Sequence, residues 1–269
     1  MKYVVLTFDD GRSDNYLTAK QIMDRYGLQG TVYVTTGFID GTWDEKAVLQ
    51  SPTRALTVDE IKELYASGWE IGLHGDKHKT QIEDMQTALN KLQSWGIAND
   101  TWGISVPNSS ATDAEVNALL KNKIGKKIVY VRRGRKCNTT KLKNKVLYVL
   151  YSTLKSKLAY RLFNAENVLL LQSCNSSNIP SVVVKSNDSF DLIIDFIKRL
   201  PDESVVVLML HSILPLNHAM CGKDPWSWDE KNFERLCFGL QNMEDNNELE
   251  VKTLMDVMTG EDLDGTSKK

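Results

Sequence analysis

Apolar residues fall in two rhythms along this chain. Short unbroken runs such as Tyr3-Val4-Val5-Leu6 and Val205-Val206-Val207-Leu208 alternate with longer stretches where apolar residues recur every three or four positions. The first rhythm predicts strands over 3–8, 30–35, 69–74, 101–105, 127–132, 167–171, 181–184 and 204–210. The second predicts helices over 15–26, 57–67, 81–95, 112–123, 141–163, 189–200 and 229–243. Local signals agree with these ends. Thr57 or Asp59 can cap the second helix, with Gly68 just beyond it, and Thr112 with Glu115 forms a capping-box pattern. Alternating strands and helices predict a parallel sheet with helices outside. Seven or eight such units close into a distorted, TIM-like α/β barrel. Residues 1–261 are read as one such domain, with a basic helical insertion at about 135–165 and a polar tail at 262–269.

Length and composition fit that reading. A chain of 269 residues with 42% apolar content can fill one barrel. No apolar run approaches the roughly 18 residues of a membrane-spanning helix. The chain enters its first strand at Tyr3 with no apolar leader-like segment, which predicts a cytoplasmic protein. Cys137, Cys174, Cys221 and Cys237 are scattered and form no Cys-x-x-Cys pair, so free thiols in a reducing compartment are expected. The net charge of −2 hides an asymmetry: from Lys121 to Arg161 there are 14 Lys/Arg and no acid. A concentrated basic block favours an anionic partner. No aromatic-interleaved recognition motif accompanies it, so nucleic acid is not expected.

The candidate chemistry sits at strand exits. Asp9 and Asp10 close the first strand, and adjacent carboxylates behind an apolar strand ask for a cation or a shared proton. His74 and His78 follow the third strand at a spacing that can aim both rings at one ion, and Asp10 would complete the set. Three protein ligands leave room for water and substrate. Asp9 could then take the water's proton and His211, at the end of the 204–210 strand, could protonate a leaving group. Hydrolysis of an amide or ester is the chemistry this favours. The donor set accepts a divalent metal, Zn²⁺ first, with Co²⁺, Ni²⁺, Fe²⁺ or Mn²⁺ also compatible.

Thr-Phe-Asp-Asp-Gly at 7–11, His-x-x-x-His at 74–78 and Leu-His at 210–211 resemble, in order and spacing, the polysaccharide deacetylases (NodB-homology domain, carbohydrate esterase family four). The resemblance spans roughly 3–110 and 200–258. It implies a distorted (β/α) barrel and a metal-dependent removal of N- or O-acetyl groups from sugars. It also implies Asp9 as general base, Asp10, His74 and His78 as metal ligands, and His211 as general acid. Two departures stand out. Gly75 occupies the place of a Ser or Thr that holds the histidine loop in the family. The third motif, Arg-x-Pro followed by an aromatic, falls at Ser105-Val106-Pro107-Asn108 and lacks the arginine and the aromatic. Arg132, ending the fifth strand, is expected to supply the missing charge beside Asp9. The family's fourth motif has no assigned place.

Pro107, Asn108, Trp226 and Trp228 are the candidate substrate-binding residues. The two tryptophans could equally serve as lid packing, and Trp43 is read the same way. His218 reads as surface. Asp14 and Asn15 read as caps of the first helix, and Asp76 either as a group touching a ligand histidine or as a solvated loop acid. In the basic stretch, Leu147, Leu150, Tyr151, Leu154, Leu158 and Leu162 recur at helical spacing among Lys141, Lys145, Lys155, Lys157 and Arg161. Packing on the barrel or on a second subunit is the first reading; peripheral contact with an anionic membrane through 141–163 is the second. The expected substrate is an acetylated sugar, as an intracellular nucleotide- or lipid-linked precursor of a surface polysaccharide. Hydrolysis of non-sugar amide bonds and an inactive glycan-binding relative are the alternatives. Oligomeric state is left open.

Overall fold

The computed structural model describes residues 1–43, 51–121, 127–135, 141–173 and 178–260. Its strands in chain order are β1 (Lys2–Phe8), β2 (Thr31–Val34), β3 (Glu70–Leu73), β4 (Thr101–Ser105), β5 (Lys127–Arg132), β6 (Val168–Leu170), β7 (Asn178–Ile179), β8 (Val182–Val183), β9 (Ser204–Leu210), β10 (Ser212–Leu214), β11 (Ser227–Asp229) and β12 (Leu249–Val251). Strands β9, β1, β2, β3, β4 and β5 pair in that order, all parallel. β7 then pairs with β5, and after only Pro180 and Ser181 the chain continues as β8, which pairs with β9. One short stretch therefore hydrogen-bonds to both ends of the sheet and curls it into a nearly closed barrel of eight strands. β6, antiparallel on β9, and β12, parallel on β1, occupy the remaining strand edges. β10 and β11 form a separate two-stranded ribbon beyond the end of β9.

The helices are α1 (Gln21–Arg25, continuing a π-helical turn at Asn15–Lys20), α2 (Thr36–Ile39), α3 (Val58–Ala66), α4 (Ile82–Ser94), α5 (Asp113–Lys121), α6 (Leu142–Leu154), α7 (Lys157–Asn164), α8 (Phe190–Lys198), α9 (Glu230–Asp245) and α10 (Leu254–Thr259). Strand alternation divides the core in two. Val4, Leu6 and Phe8 of β1 face the helices in the larger cluster, while Val5 points into the barrel with Tyr33, Tyr130, Val205 and Val207. α10 packs Leu254 and Val257 onto that interior cluster. A register shift in the β4–β5 pairing after Trp102 leaves Tyr130 opposite Gly103. A Cβ at Gly103 would sit 2.0 Å from the Tyr130 ring, so the glycine makes room for the tyrosine.

The expected barrel is present, and the predicted strands and, apart from 141–163, the predicted helices occur, with ends among the described residues differing by a residue or two. Thr57 caps α3 in a capping box with Glu60, and Thr112 pairs reciprocally with Glu115 before α5. Three expectations need correction. The single helix 141–163 is two helices: Lys155 takes a left-handed backbone (φ 53°) and Ser156 caps α7 by accepting from the Ala159 N–H. Of the leucine stripe read as packing on the barrel or on a second subunit, Leu150, Leu154, Leu158 and Leu162 do not pack on the barrel but are exposed; the face buried on it is Leu147 and Tyr151 of α6 with Ala159, Tyr160 and Phe163 of α7. Asp14 and Asn15 do not cap. Asp14 accepts from the Ile213 N–H (2.6 Å) and the Thr53 hydroxyl (2.5 Å), and Asn15 donates to the His211 carbonyl (2.7 Å), tying the first helical segment to the end of β9. Short strands β7, β10, β11 and β12 and helices α2 and α10 were not predicted. The tail beyond Gly260 and two of the cysteines, Cys137 and Cys174, lie outside the described residues; Cys221 and Cys237 are free thiols.

Candidate active site

Parallel pairing sets the site. Phe8 is in register with Leu210, Leu73 with Ile104, and Ser105 with Arg132. The next residue along each chain therefore emerges at one rim, the C-terminal end of the barrel where such folds place their chemistry. Asp9, Asp10, His74, Ser105, Arg132 and His211 meet there.

Asp10 has a left-handed backbone (φ 77°), followed by Gly11 (φ 80°), and this turn swings its carboxylate away from that of Asp9. Asp10 Oδ1 lies 3.4 Å from His74 Nε2 and 3.7 Å from His78 Nε2, and the two Nε2 atoms are 3.2 Å apart. All three side chains are buried. Among the described residues this is the cluster of His, Cys, Asp and Glu able to hold a metal ion, its ligand atoms within 4.8 Å of one another. The tautomers suit a cation. His74 Nδ1 is 2.9 Å from the Ser105 carbonyl and must donate to it, which leaves the Nε2 lone pair facing the cluster. His78 Nδ1 has no partner, so no second contact forces a proton onto its Nε2. Two imidazole lone pairs and a carboxylate oxygen converging in a buried space fit a divalent metal of nitrogen and oxygen preference.

The outer oxygen of Asp10 is also spoken for. Arg12, itself buried, sets Nη2 2.8 Å from Asp10 Oδ2 and reaches Ser212 Oγ (3.0 Å) and, more distantly, Asp224 (3.7 Å). Burial pushes the Asp10 carboxyl up, but Arg12 and His74 outweigh it and hold it well below the usual carboxylate range. Sequence reading passed over Arg12, although a basic residue two positions after paired acids is a usable signal.

Asp9 has its own cation. Arg132 Nη2 is 2.5 Å from Asp9 Oδ1 and also contacts Ser105 Oγ, while Nη1 donates to Ser181 Oγ (3.2 Å). Ser105, where the family motif has arginine, sits 3.3 Å from Asp9 Oδ2. Burial raises the Asp9 carboxyl, and Arg132, with His74 and His211, brings it below its ordinary value. Arg132, reaching over from β5 next to β4, thus sets a guanidinium directly against Asp9.

The histidine loop is held by a residue not foreseen. Asp84, in the first turn of α4, accepts from the backbone N–H groups of Asp76, Lys77 and Lys79 at 2.9–3.1 Å. Gly75 (φ +83°) runs so close that a Cβ would lie 2.5 Å from Asp84 Oδ2. A glycine and a distant carboxylate thus take the place of the family's Ser or Thr. Asp76 is not a solvated loop acid: it is buried, accepts from Thr36 Oγ1 (2.8 Å) and pairs with Lys91 (2.7 Å). Trp43 stacks on His78, ring centres 6.1 Å apart.

His211 lies across the cleft, its Nδ1 without a hydrogen-bond partner and its ring 4.9 Å from that of Trp226. Burial lowers its pKa and Arg12 and Arg132 add to this, against the opposing pull of Asp10 and Asp9. The cleft, of about 490 Å³, is lined by the metal triad, Asp9, His211, Asn108, Trp226, Arg135 and Lys185. Other candidates fall elsewhere. Trp228 is 2% exposed, donates to the Asp188 carbonyl (2.7 Å) and packs on Phe233, so it is core rather than a sugar-stacking face. Pro107 is buried and borders an adjoining groove with Asn108 and His78 instead of this cleft. His218 is half-buried, accepts from the Met220 N–H, and lines no part of the cleft.

The sequence model of a family described as polysaccharide deacetylase matches residues 1–133. Residues 1–133 are thus similar in sequence to the polysaccharide deacetylases. This span carries Asp9, Asp10, His74, His78 and Arg132. No curated protein matches the chain. Among solved structures, a deacetylase PplD from Streptococcus pyogenes in complex with acetate is 23% identical over 43% of this chain and 50% of that one, at a TM-score of 0.35. This chain thus covers about half of that protein's length. A family 4 acetyl xylan esterase from Clostridium thermocellum with a cobalt ion is 15% identical, covering 96% of this chain and 90% of that one, at a TM-score of 0.46. A mutant of BA3943, a CE4 family pseudoenzyme with restored enzymatic activity, is 11% identical, covering 96% of this chain and 68% of that one, at a TM-score of 0.50. This last likeness agrees with the barrel fold.

Proposed function

We propose that the protein is a metal-dependent hydrolase that removes an acetyl group from the nitrogen, or an oxygen, of a sugar. The observation that carries this reading is the meeting, in one cleft, of a two-histidine, one-carboxylate triad with a second carboxylate held by its own arginine. Asp10, His74 and His78 would hold the metal, Zn²⁺ being the first candidate. Such a metal, when bound, lowers the pKa of a water and polarises an acyl carbonyl. Asp9 is the base, and Arg132 keeps it ionised and fixed in orientation. His211, low in pKa and facing the cleft, is a strong acid once protonated and delivers its proton to the departing nitrogen. The charge supplied by Arg132 removes the main argument for an inactive glycan-binding relative.

The substrate reading is a nucleotide- or lipid-linked sugar precursor handled in the cytoplasm. Two cations on the cleft wall support an anionic substrate. Arg135 and Lys185 have no carboxylate within ion-pair distance among the described residues, and Lys185 lies 4.8 Å over the Trp226 ring. Burial and the Arg135 charge lower the Lys185 pKa, with Asp188 pulling only partly the other way, and a phosphate or carboxylate in the cleft would relieve the rest. Metal-loaded protein should release acetate from an N-acetylhexosamine nucleotide faster than from neutral N-acetylated oligosaccharides. Arg135→Ala should raise KM for the charged substrate about tenfold and leave kcat nearly unchanged. Release of ammonia without acetate would instead favour a non-sugar amide substrate. Absence of either product with bound metal would end the enzyme reading.

A further inference from the structure

The two-helix unit α6–α7 is apolar on two sides. Its inner side is closed by aromatic packing, with the Tyr151 ring 5.1 Å from Tyr160 and 5.2 Å from Phe163. Its outer side has no cover among the described residues. Leu142, Val146, Val149, Leu150 and Leu154 lie on one stripe of α6 and are all exposed, Leu142 and Leu154 by 76% and 71%. On α7, Leu158 and Leu162 are exposed one turn apart. An uncovered stripe of large aliphatic side chains is costly in water and marks a surface that meets something apolar.

The charges around the stripe decide what that is. Lys141, Lys143, Lys145, Lys155 and Lys157 are exposed beside it, and the whole stretch from Lys121 to Arg161 holds no acid. Lys141, Lys143 and Lys145 form no ion pair among the described residues. A second copy of this surface would bring basic block against basic block, with no acid of the stretch to offset it. An anionic lipid bilayer offers both complements at once: acyl chains for the leucines and head-group phosphates for the lysines.

We propose that the outer face of α6–α7 binds the surface of an anionic membrane, leaving the barrel cleft free. The binding rests on this face alone and does not depend on the deacetylase reading. The left-handed break at Lys155 folds a would-be single helix into two, which lets one side pack on the barrel while the other stays outward.

The test is co-sedimentation of the full chain with vesicles. Phosphatidylcholine vesicles containing phosphatidylglycerol should pull the protein down at low salt, pure phosphatidylcholine should not, and high salt should weaken the binding. The double variant Leu154→Glu/Leu158→Glu should partition about tenfold more weakly or worse, with an unchanged thermal unfolding midpoint, because both side chains are exposed in the native fold. Lys143→Glu/Lys145→Glu provides an independent check and should lose the preference for anionic vesicles. No binding to anionic vesicles at low salt, or equal binding by both variants, would overturn the proposal. So would equal binding to neutral vesicles, or a lipid-free dimer in light scattering that Leu154→Glu/Leu158→Glu disperses, which would give the face to a second copy. Acetate release measured on the same variants separates this outcome from failure of the enzyme reading, since none of these residues lines the cleft.

Discussion

Two carboxylates, the buried Asp9 and the half-buried Glu70, sit at opposite ends of the barrel interior and are handled in opposite ways. At the C-terminal rim Asp9 meets Arg132, and its carboxyl is held below the ordinary value despite burial. At the other end Glu70, first residue of β3, meets only neutral donors: the Tyr130 hydroxyl, Thr31 Oγ1 (2.8 Å) and the Met255 N–H (2.9 Å). Burial dominates there and pushes Glu70 up to about 7. The two are joined through the barrel. Arg132 lies over the Tyr33 ring (5.1 Å), Tyr33 shares a hydrogen bond with Tyr130 (2.7 Å), and Tyr130 contacts Glu70. Hydrogen bonds alone satisfy a buried carboxyl; a guanidinium is what keeps it charged. The end where the proposed base sits has the cation.

The sharpest break in this contrast is Arg132→Ala. It leaves Asp9 buried without a counter-charge, so stability should fall by about 3–5 kcal/mol and turnover by roughly 10²–10⁴-fold. Metal content, read by elemental analysis, should be unchanged because Arg132 touches none of the triad. Adding Asp9→Asn to Arg132→Ala should restore much of the stability, read by denaturant unfolding, and none of the activity. Unimpaired acetate release by Arg132→Ala would show that the base needs no guanidinium.

At the Glu70 end the effect is on stability against pH. The native carboxyl titrates near 7 and the unfolded one near its usual 4.5, so between these values the native state holds the extra proton. Glu70's contribution is therefore fully present below about pH 4.5 and is lost as pH rises through 7, an effect of up to about 3 kcal/mol. Glu70→Gln keeps acceptor and shape without the titration. The difference in unfolding free energy between it and the parent should change with pH across this window. A constant difference from pH 4.5 to 7 would mean the carboxyl titrates alike in both states.

The rim was far more legible in the sequence than the interior. Asp9, Asp10, His74, His78 and His211 stand out because polar ligand-type residues end apolar strands, and strand ends share one face of a barrel. Arg132 could be proposed because an unpaired arginine closed the strand next to a motif missing one. Arg12 and Asp84 were not seen: their roles depend on turns at Asp10 and Gly75 whose positive φ no periodicity encodes. Trp228 was misplaced for a related reason, since an indole after a loop looks the same in sequence whether it faces a cleft or Phe233. The column from Tyr33 to Glu70 depends on the register shift after Trp102, which the alternation of β5 does not reveal.

The smallest effect tests whether that column couples its two ends. Tyr33→Phe deletes the hydroxyl that bonds Tyr130 and keeps the ring beneath Arg132, so the cation–π contact survives. Tyr130 retains Glu70 as a partner, and the lost bond should cost only about 1 kcal/mol in unfolding measurements. Acetate release should stay within about threefold of the parent, because the Asp9–Arg132 pair is set by Ser105 and Ser181 rather than by the tyrosine hydroxyls. A loss of turnover comparable to that of Arg132→Ala would mean the hydroxyl chain, and with it the protonation of Glu70, governs the base at the far rim. The geometry argues otherwise. The single link between the chain and Arg132 is the face of an aromatic ring, which passes on position but no proton.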